Sequence, residues 1–240
     1  MRFLGLLECK QMSKTALIVG AGSGLSAALT RALTKDGYRC VLVARNIDKL
    51  GALCGETGAV AQQCDVSREG SVGRLFEQLD VEGIVPSVVV YNASARTHGP
   101  FVDLDPAKVA HTINVAAYAG FLIGQQAVTR MLKAGGGTIV FTGASASVKG
   151  YAQSAPFAMG KFALRGLAQS MARELSPMGI HVAHVVIDGG IRSAQRPDPA
   201  DKPDSMLDPE AIADTYLHLI RQPRSAWSWE IEVRPWVERF

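Results

Sequence analysis

Short apolar runs alternate with longer helical stretches from residue 14 to the end of the chain. This alternation constrains the fold more than any other feature. The runs fall at 15–19, 39–44, 59–64, 87–91, 138–142, 181–187 and 229–233. Between the first two, Leu25, Ala28, Leu29, Ala32 and Leu33 recur on one helical face, and Gly37 stops the helix. Asp208-Pro209-Glu210 opens the last helix with a capping carboxylate, a first-turn proline and a first-turn acid. Strands separated by helices cannot pair as hairpins, so they must join in parallel through crossovers. Runs such as Ile139-Val140-Phe141 are apolar throughout, which fits strands covered on both faces. The pattern predicts an α/β domain with a doubly wound parallel sheet of about seven strands and ligand above their C-terminal ends.

The 240 residues fit one domain with a single sizeable core, read as 14–240 after an N-terminal extension at 1–13. A formal charge of +3 without a basic cluster argues against nucleic acid as a partner. No run approaches the ~18 apolar residues of a membrane span. The apolar stretch near the N-terminus is too short for a signal peptide. Cys9, Cys40, Cys54 and Cys64 show no C-x-x-C spacing, and Cys40 and Cys64 read as buried thiols, which fits a reducing cytoplasm. His181 and His184, three apart on a strand, point to opposite faces, so no metal site is expected. The Pro- and Asp-rich loop 191–208 has the length of a lid.

The first strand runs into Gly20-Ala21-Gly22-Ser23-Gly24-Leu25-Ser26. A glycine turn between a parallel strand and a helix brings backbone N–H groups and the helix dipole to a pyrophosphate. At the end of the second strand stands Arg45, where a carboxylate would accept bonds from an adenosine ribose diol. A guanidinium instead pairs with a 2′-phosphate, so the expected preference is NADP(H) over NAD(H).

With these motifs and the segment Phe157-Ala158-Met159-Gly160-Lys161, residues 14–235 resemble the short-chain dehydrogenase/reductase superfamily, whose fold is a Rossmann-like doubly wound sheet. The resemblance implies roles residue by residue. Gly20, Gly22, Ser23, Gly24 and Leu25 form the pyrophosphate turn, with Ser26 in place of the pattern's last glycine. Asp65 contacts the adenine amine beside Val66, and Asn92 and Ala93 shape the nucleotide pocket, with Ser94 where the family has glycine. Asn114 holds a water-bearing helix kink, and Lys161 binds the nicotinamide ribose. Gly189 and Ile191 follow the sixth strand, where Asp188 replaces a proline. The proton-handling groups depart from the pattern. Phe157 stands at the tyrosine position, and Ala144 at the serine position, with Ser145 one residue later.

Two readings stay open. One is an NADP(H)-dependent oxidoreductase acting on a carbonyl or alcohol, with water, Ser145 or Tyr151 supplying the proton in place of Phe157. The other is a non-catalytic, cofactor-binding protein with a regulatory or scaffold role. The resemblance also implies a homodimer or homotetramer. The small residues of Ala116-Ala117-Tyr118-Ala119-Gly120 suit close helix packing, and Trp229, Trp236 and Phe240 form an aromatic tail that docks on the body or on a partner subunit. His98, in the loop after the fourth strand, is a candidate for facing substrate.

Overall fold

A computed structural model of the chain describes residues 14–193 and 196–238. The expected extension 1–13, with Cys9, and the terminal Phe240 lie outside the described residues. In chain order the strands and α-helices are β1 (Thr15–Val19), α1 (Leu25–Lys35), β2 (Arg39–Ala44), α2 (Gly51–Thr57), β3 (Val60–Gln63), α3 (Glu69–Val81) and β4 (Val88–Tyr91). They continue with α4 (Pro106–Ile113), α5 (Ala119–Lys133), β5 (Gly137–Thr142), α6 (Ala155–Leu175), β6 (Ile180–Ile187), α7 (Pro209–Arg221) and β7 (Glu230–Val233).

The strands form one seven-stranded parallel sheet in the order β3-β2-β1-β4-β5-β6-β7. The chain builds outward from β1 in one direction, then returns to place β4 on its other side. That reversal opens a crevice above the C-terminal ends of β1 and β4. Alternate residues of each strand feed two cores. Leu17 and Val19 join Phe76, Ile123 and Leu164 from α3, α5 and α6. Ala16 and Ile18 join Leu29, Leu33 and Tyr216 from α1 and α7 on the other face. All five β1 side chains are buried, as expected for a strand covered on both sides. Cys40 and Cys64 are buried thiols, and burial pushes both upward in pKa. Asp208 caps α7, its carboxylate accepting from the Glu210 N–H at 3.0 Å.

Helix α6 begins at Ala155, not after the Phe157–Lys161 segment at 162 as the apolar spacing alone predicts. Pro156 sits in the first turn, where its missing N–H costs nothing and its fixed φ suits a helix. Phe157 and Lys161 are therefore one turn apart on the same helical face. The small residues near 116–120 are used within the subunit. A Cβ on Gly160 would meet Ala116 Cβ at 2.6 Å, and one on Gly120 would meet Leu164 at 2.9 Å. The tail divides in the same way: Trp229 packs against the core, while Trp236 is 82% exposed.

Candidate active site

The floor of the crevice is a backbone crossing. Gly20 has φ +87, and a Cβ there would lie 2.4 Å from the Ala93 nitrogen, so only glycine fits between the β1 and β4 ends. The N–H groups of Gly20 and Ala21 both donate to the Val43 carbonyl at 2.9 Å, which fixes the turn against β2. Gly22 and Gly24 face open space within 4 Å of a built Cβ. Ser26 is buried and stitches the turn together. Its hydroxyl donates to the Gly20 carbonyl at 3.0 Å and accepts from Asn92 Nδ2 at 2.8 Å. A serine here adds a strut that glycine lacks.

Above this floor lies a cleft of about 260 Å³. Of the expected nucleotide residues, Gly20, Arg45, Asp65, Val66, Asn92 and Ala93 line it. Gly22, Ser23, Gly24, Gly189 and Ile191 are not among its walls, and Leu25 is a core residue beneath the turn. Asp65 is held below the ordinary carboxylate range, first by the Ser67 hydroxyl, which donates to it at 2.7 Å. Lys49 and His111 line the cleft as well. Lys49 follows Arg45 by four residues in the short turn after β2, a basic pairing that could have been read from the sequence. His111 carries no comparable signal, because only the packing of α4 brings it to the cleft.

At the other end, Lys161 is buried and its Nζ donates to the Thr142 carbonyl at 2.7 Å. Desolvation, then the Arg96 charge, lowers its pKa to about 8. The Phe157 ring is buried, with the Lys161 Nζ 5.8 Å from its centroid and the Arg96 guanidinium at 4.2 Å. Arg96 belongs to the loop after β4 and was not singled out by sequence. Asn114 opens a π-helical segment, Asn114–Tyr118, between α4 and α5. Its Nδ2 donates to the Ser67 carbonyl at 3.1 Å. Its Oδ1 is buried and accepts no bond among the described residues. Tyr91 at the end of β4 donates to the Val115 carbonyl at 2.6 Å and pins this segment to the sheet. π-Segments of this kind are frequent at functional sites.

The model of the family described as short chain dehydrogenase matches residues 14–198. The chain belongs to the short chain dehydrogenase family. It is 33% identical to a short-chain dehydrogenase from Rhodopseudomonas palustris, with a TM-score of 0.81 over 93% of this chain and 99% of that one. A metagenomic short-chain oxidoreductase crystallised with NADP is 28% identical, with a TM-score of 0.81 over 93% and 97% of the two chains. The 3-oxoacyl-[acyl-carrier-protein] reductase of Homo sapiens is 25% identical over 189 residues, 78% of this chain and 79% of that protein. This chain is thus an oxidoreductase of the short chain dehydrogenase family by descent.

The residues expected to bear on proton transfer are each fixed by local packing or bonding, Ser145 and Tyr151 excepted. Ser145 starts a 3-10 turn, Ser145–Ser147, which packs against α6. Its hydroxyl has no hydrogen-bond partner among the described residues, whereas the buried Ser147 hydroxyl accepts from the Ala144 N–H at 3.1 Å. Asp188, where the family pattern has proline, is the buried half of an ion pair with Lys149 Nζ at 3.1 Å. That bond, chiefly, raises the Lys149 pKa, with a smaller push from Tyr151 beside it. Tyr151 is half exposed. His184 is fully buried, and desolvation lowers its pKa to about 4. Its Nδ1 donates to Glu230 Oε2 at 3.0 Å, and that carboxylate also accepts from Arg165. The loop 191–208 is tied at its base by an Ile191–Leu207 bridge and by Arg192, which pairs with Asp198 and Asp208. Among the described residues no three metal-ligating side chains converge, and no helix is long and apolar enough to cross a membrane.

Proposed function

We propose that the chain is an NADP(H)-dependent oxidoreductase acting on a carbonyl or alcohol substrate, with Phe157 at the position where the family carries tyrosine. The observation that carries this reading is the cleft beside the glycine turn, with Arg45 and Lys49 both on its wall. Arg45 stands where a carboxylate would hold a ribose diol, and with Lys49 on the same wall it suits a 2′-phosphate. The relative crystallised with NADP supports the same cofactor class. Open space at Gly22 and Gly24 suits a pyrophosphate approaching the backbone. A nicotinamide cofactor held there would supply or accept a hydride.

The chain's own residues set the rest of the chemistry. Asp65, ionised, accepts from an adenine amine, and Lys161 faces the ribose side with its ammonium held by Thr142. Phe157 excludes water and offers no proton. A proton must then come from water or from a hydroxyl nearby, Ser145 and Tyr151 being the candidates. Exposed Tyr118, Phe121, Met159 and Phe162 on α5, its preceding π-segment and α6 support assembly into a homodimer or homotetramer.

The missing phenol favours a second reading, a cofactor-binding member without turnover. One experiment separates the two: NADPH and NADH titrations, then NADPH oxidation against a carbonyl panel, for the native chain and Phe157→Tyr. Tight NADPH binding with measurable turnover, rising about 10²-fold or more in Phe157→Tyr, supports the enzyme. Binding with no turnover by either protein supports the second reading, and failure to bind NADPH overturns both.

A further inference from the structure

We infer that the substrate carries a carboxylate, and that Arg96 is the residue that receives it. This deepens the reading above and rests on it for the location of the reacting carbon.

Arg96 is exposed, yet it is not a loose surface side chain. Its guanidinium lies 4.2 Å from the centroid of the buried Phe157 ring, on the side of the site that holds Lys161. The loop that carries it is anchored twice, just after Arg96. Thr97 Oγ1 shares a 2.8 Å bond with Thr112 Oγ1 and donates to the Lys108 carbonyl at 3.3 Å, tying the loop to α4. Gly99 N–H donates to the Gln153 carbonyl at 3.0 Å, tying it to the segment before α6. Gln153 itself sits at φ 58, a left-handed conformation that a side-chain-bearing residue rarely adopts.

The charges around the ring do not balance from within. Among the described residues neither Arg96 nor Lys161 has a carboxylate partner, and the one hydrogen bond of Lys161 goes to a neutral carbonyl. Asp188, the acid just after β6, is taken by Lys149. Two cations thus converge on an apolar ring with no anion supplied by the protein. A planar guanidinium binds a carboxylate through two parallel N–H bonds, and stacking on the buried Phe157 ring holds that fork in place. An oxo-acid or hydroxy-acid supplies that anion beside the reacting carbon, whereas a neutral ketone leaves the guanidinium to solvent.

The test is a calorimetric titration of butanoate and of its neutral isostere butanamide into the NADP⁺-loaded protein and into cofactor-free protein, for the native chain, Arg96→Gln and Arg96→Lys. Butanoate binding roughly tenfold or more tighter than butanamide is expected, as for a charge-assisted bond. Arg96→Gln should abolish the difference, and Arg96→Lys should keep only part of it, lacking the fork. Equal binding of acid and amide by the native chain overturns the inference, as does an acid preference that survives in Arg96→Gln. If NADP⁺ itself does not bind, the oxidoreductase reading falls, while the Arg96 comparison on cofactor-free protein still decides the carboxylate site.

Discussion

The Asn92 side-chain amide donates a 2.8 Å hydrogen bond to the Ser26 hydroxyl, joining the end of β4 to the first turn of α1. Ser26 passes the connection on to the Gly20 carbonyl. Replacing it with alanine leaves the Asn92 amide and the Gly20 carbonyl each without this partner. Ser26→Ala should lower stability by about 1–3 kcal/mol, read from the midpoint of urea unfolding. An unchanged midpoint would show that the strut contributes nothing.

Gly20 and Gly22 are two residues apart and should respond in opposite ways. In Gly20→Ala the new methyl meets backbone at 2.4 Å, and the φ of +87 adds strain, so the variant should lose several kcal/mol (on the order of 3–5) or fail to fold. Gly22→Ala meets nothing within 4 Å and should unfold within about 1 kcal/mol of the native chain. Its NADPH affinity should nevertheless fall, because the methyl takes up open space at the turn where a pyrophosphate is proposed to approach the backbone. Paired unfolding curves and NADPH titrations check both halves.

Lys161 should make stability depend on alkaline pH. Its folded pKa of about 8 lies below the ordinary 10.5, so between these values the unfolded chain holds the proton more often than the fold. Stability must then rise with pH through this window, and the burden of the buried charge is full below pH 8. Lys161→Met, which removes the group, should therefore gain on the native chain most at pH 7, by up to about 3 kcal/mol, less what the Thr142 carbonyl loses. That relative gain should shrink toward pH 10.5. A difference that stays constant from pH 7 to 10.5 would falsify the lowered pKa.

Cofactor choice should turn on β2. Arg45→Asp places an anion where the 2′-phosphate is expected, so NADPH affinity should drop roughly 10–100-fold while NADH binding improves. Lys49→Gln should weaken NADPH in the same direction by less, since an ammonium is a single point charge. Fluorescence titrations with both nucleotides give the ratio directly, and an unaltered ratio in Arg45→Asp removes the phosphate reading.

The inner strands were legible in the sequence because they are apolar on both faces. The run 181–187 was placed within one residue of β6, Ile180–Ile187, on that signal alone. The start of α6 was not, because Pro156 reads as a breaker until its place in a first turn is known. At the nucleotide end, Gly20 and Arg45 were picked out by backbone chemistry and charge, and Asp65 and Asn92 by the family resemblance; the four line one cleft. Arg96 could not be picked out. Nothing in a loop sequence says that an arginine will fold back over a ring on a helix 60 or so residues later, and only the Thr97 and Gly99 anchors make it do so. Asp188 looked like a turn residue for a similar reason, since its partner Lys149 lies 39 residues earlier.

The placement of β4 beside β1 also bears on how the chain reaches its native state. Thr15 and Ser87, 72 positions apart, are joined at the foot of that pairing, and the crossing of Gly20 with Ala93 lies at its far end. The glycine turn can set against β2 early, through Val43, but the floor is complete only when this loop closes. Closure of so long a loop should therefore come late in folding. A ligand that binds only the finished floor should slow unfolding without hastening that closure.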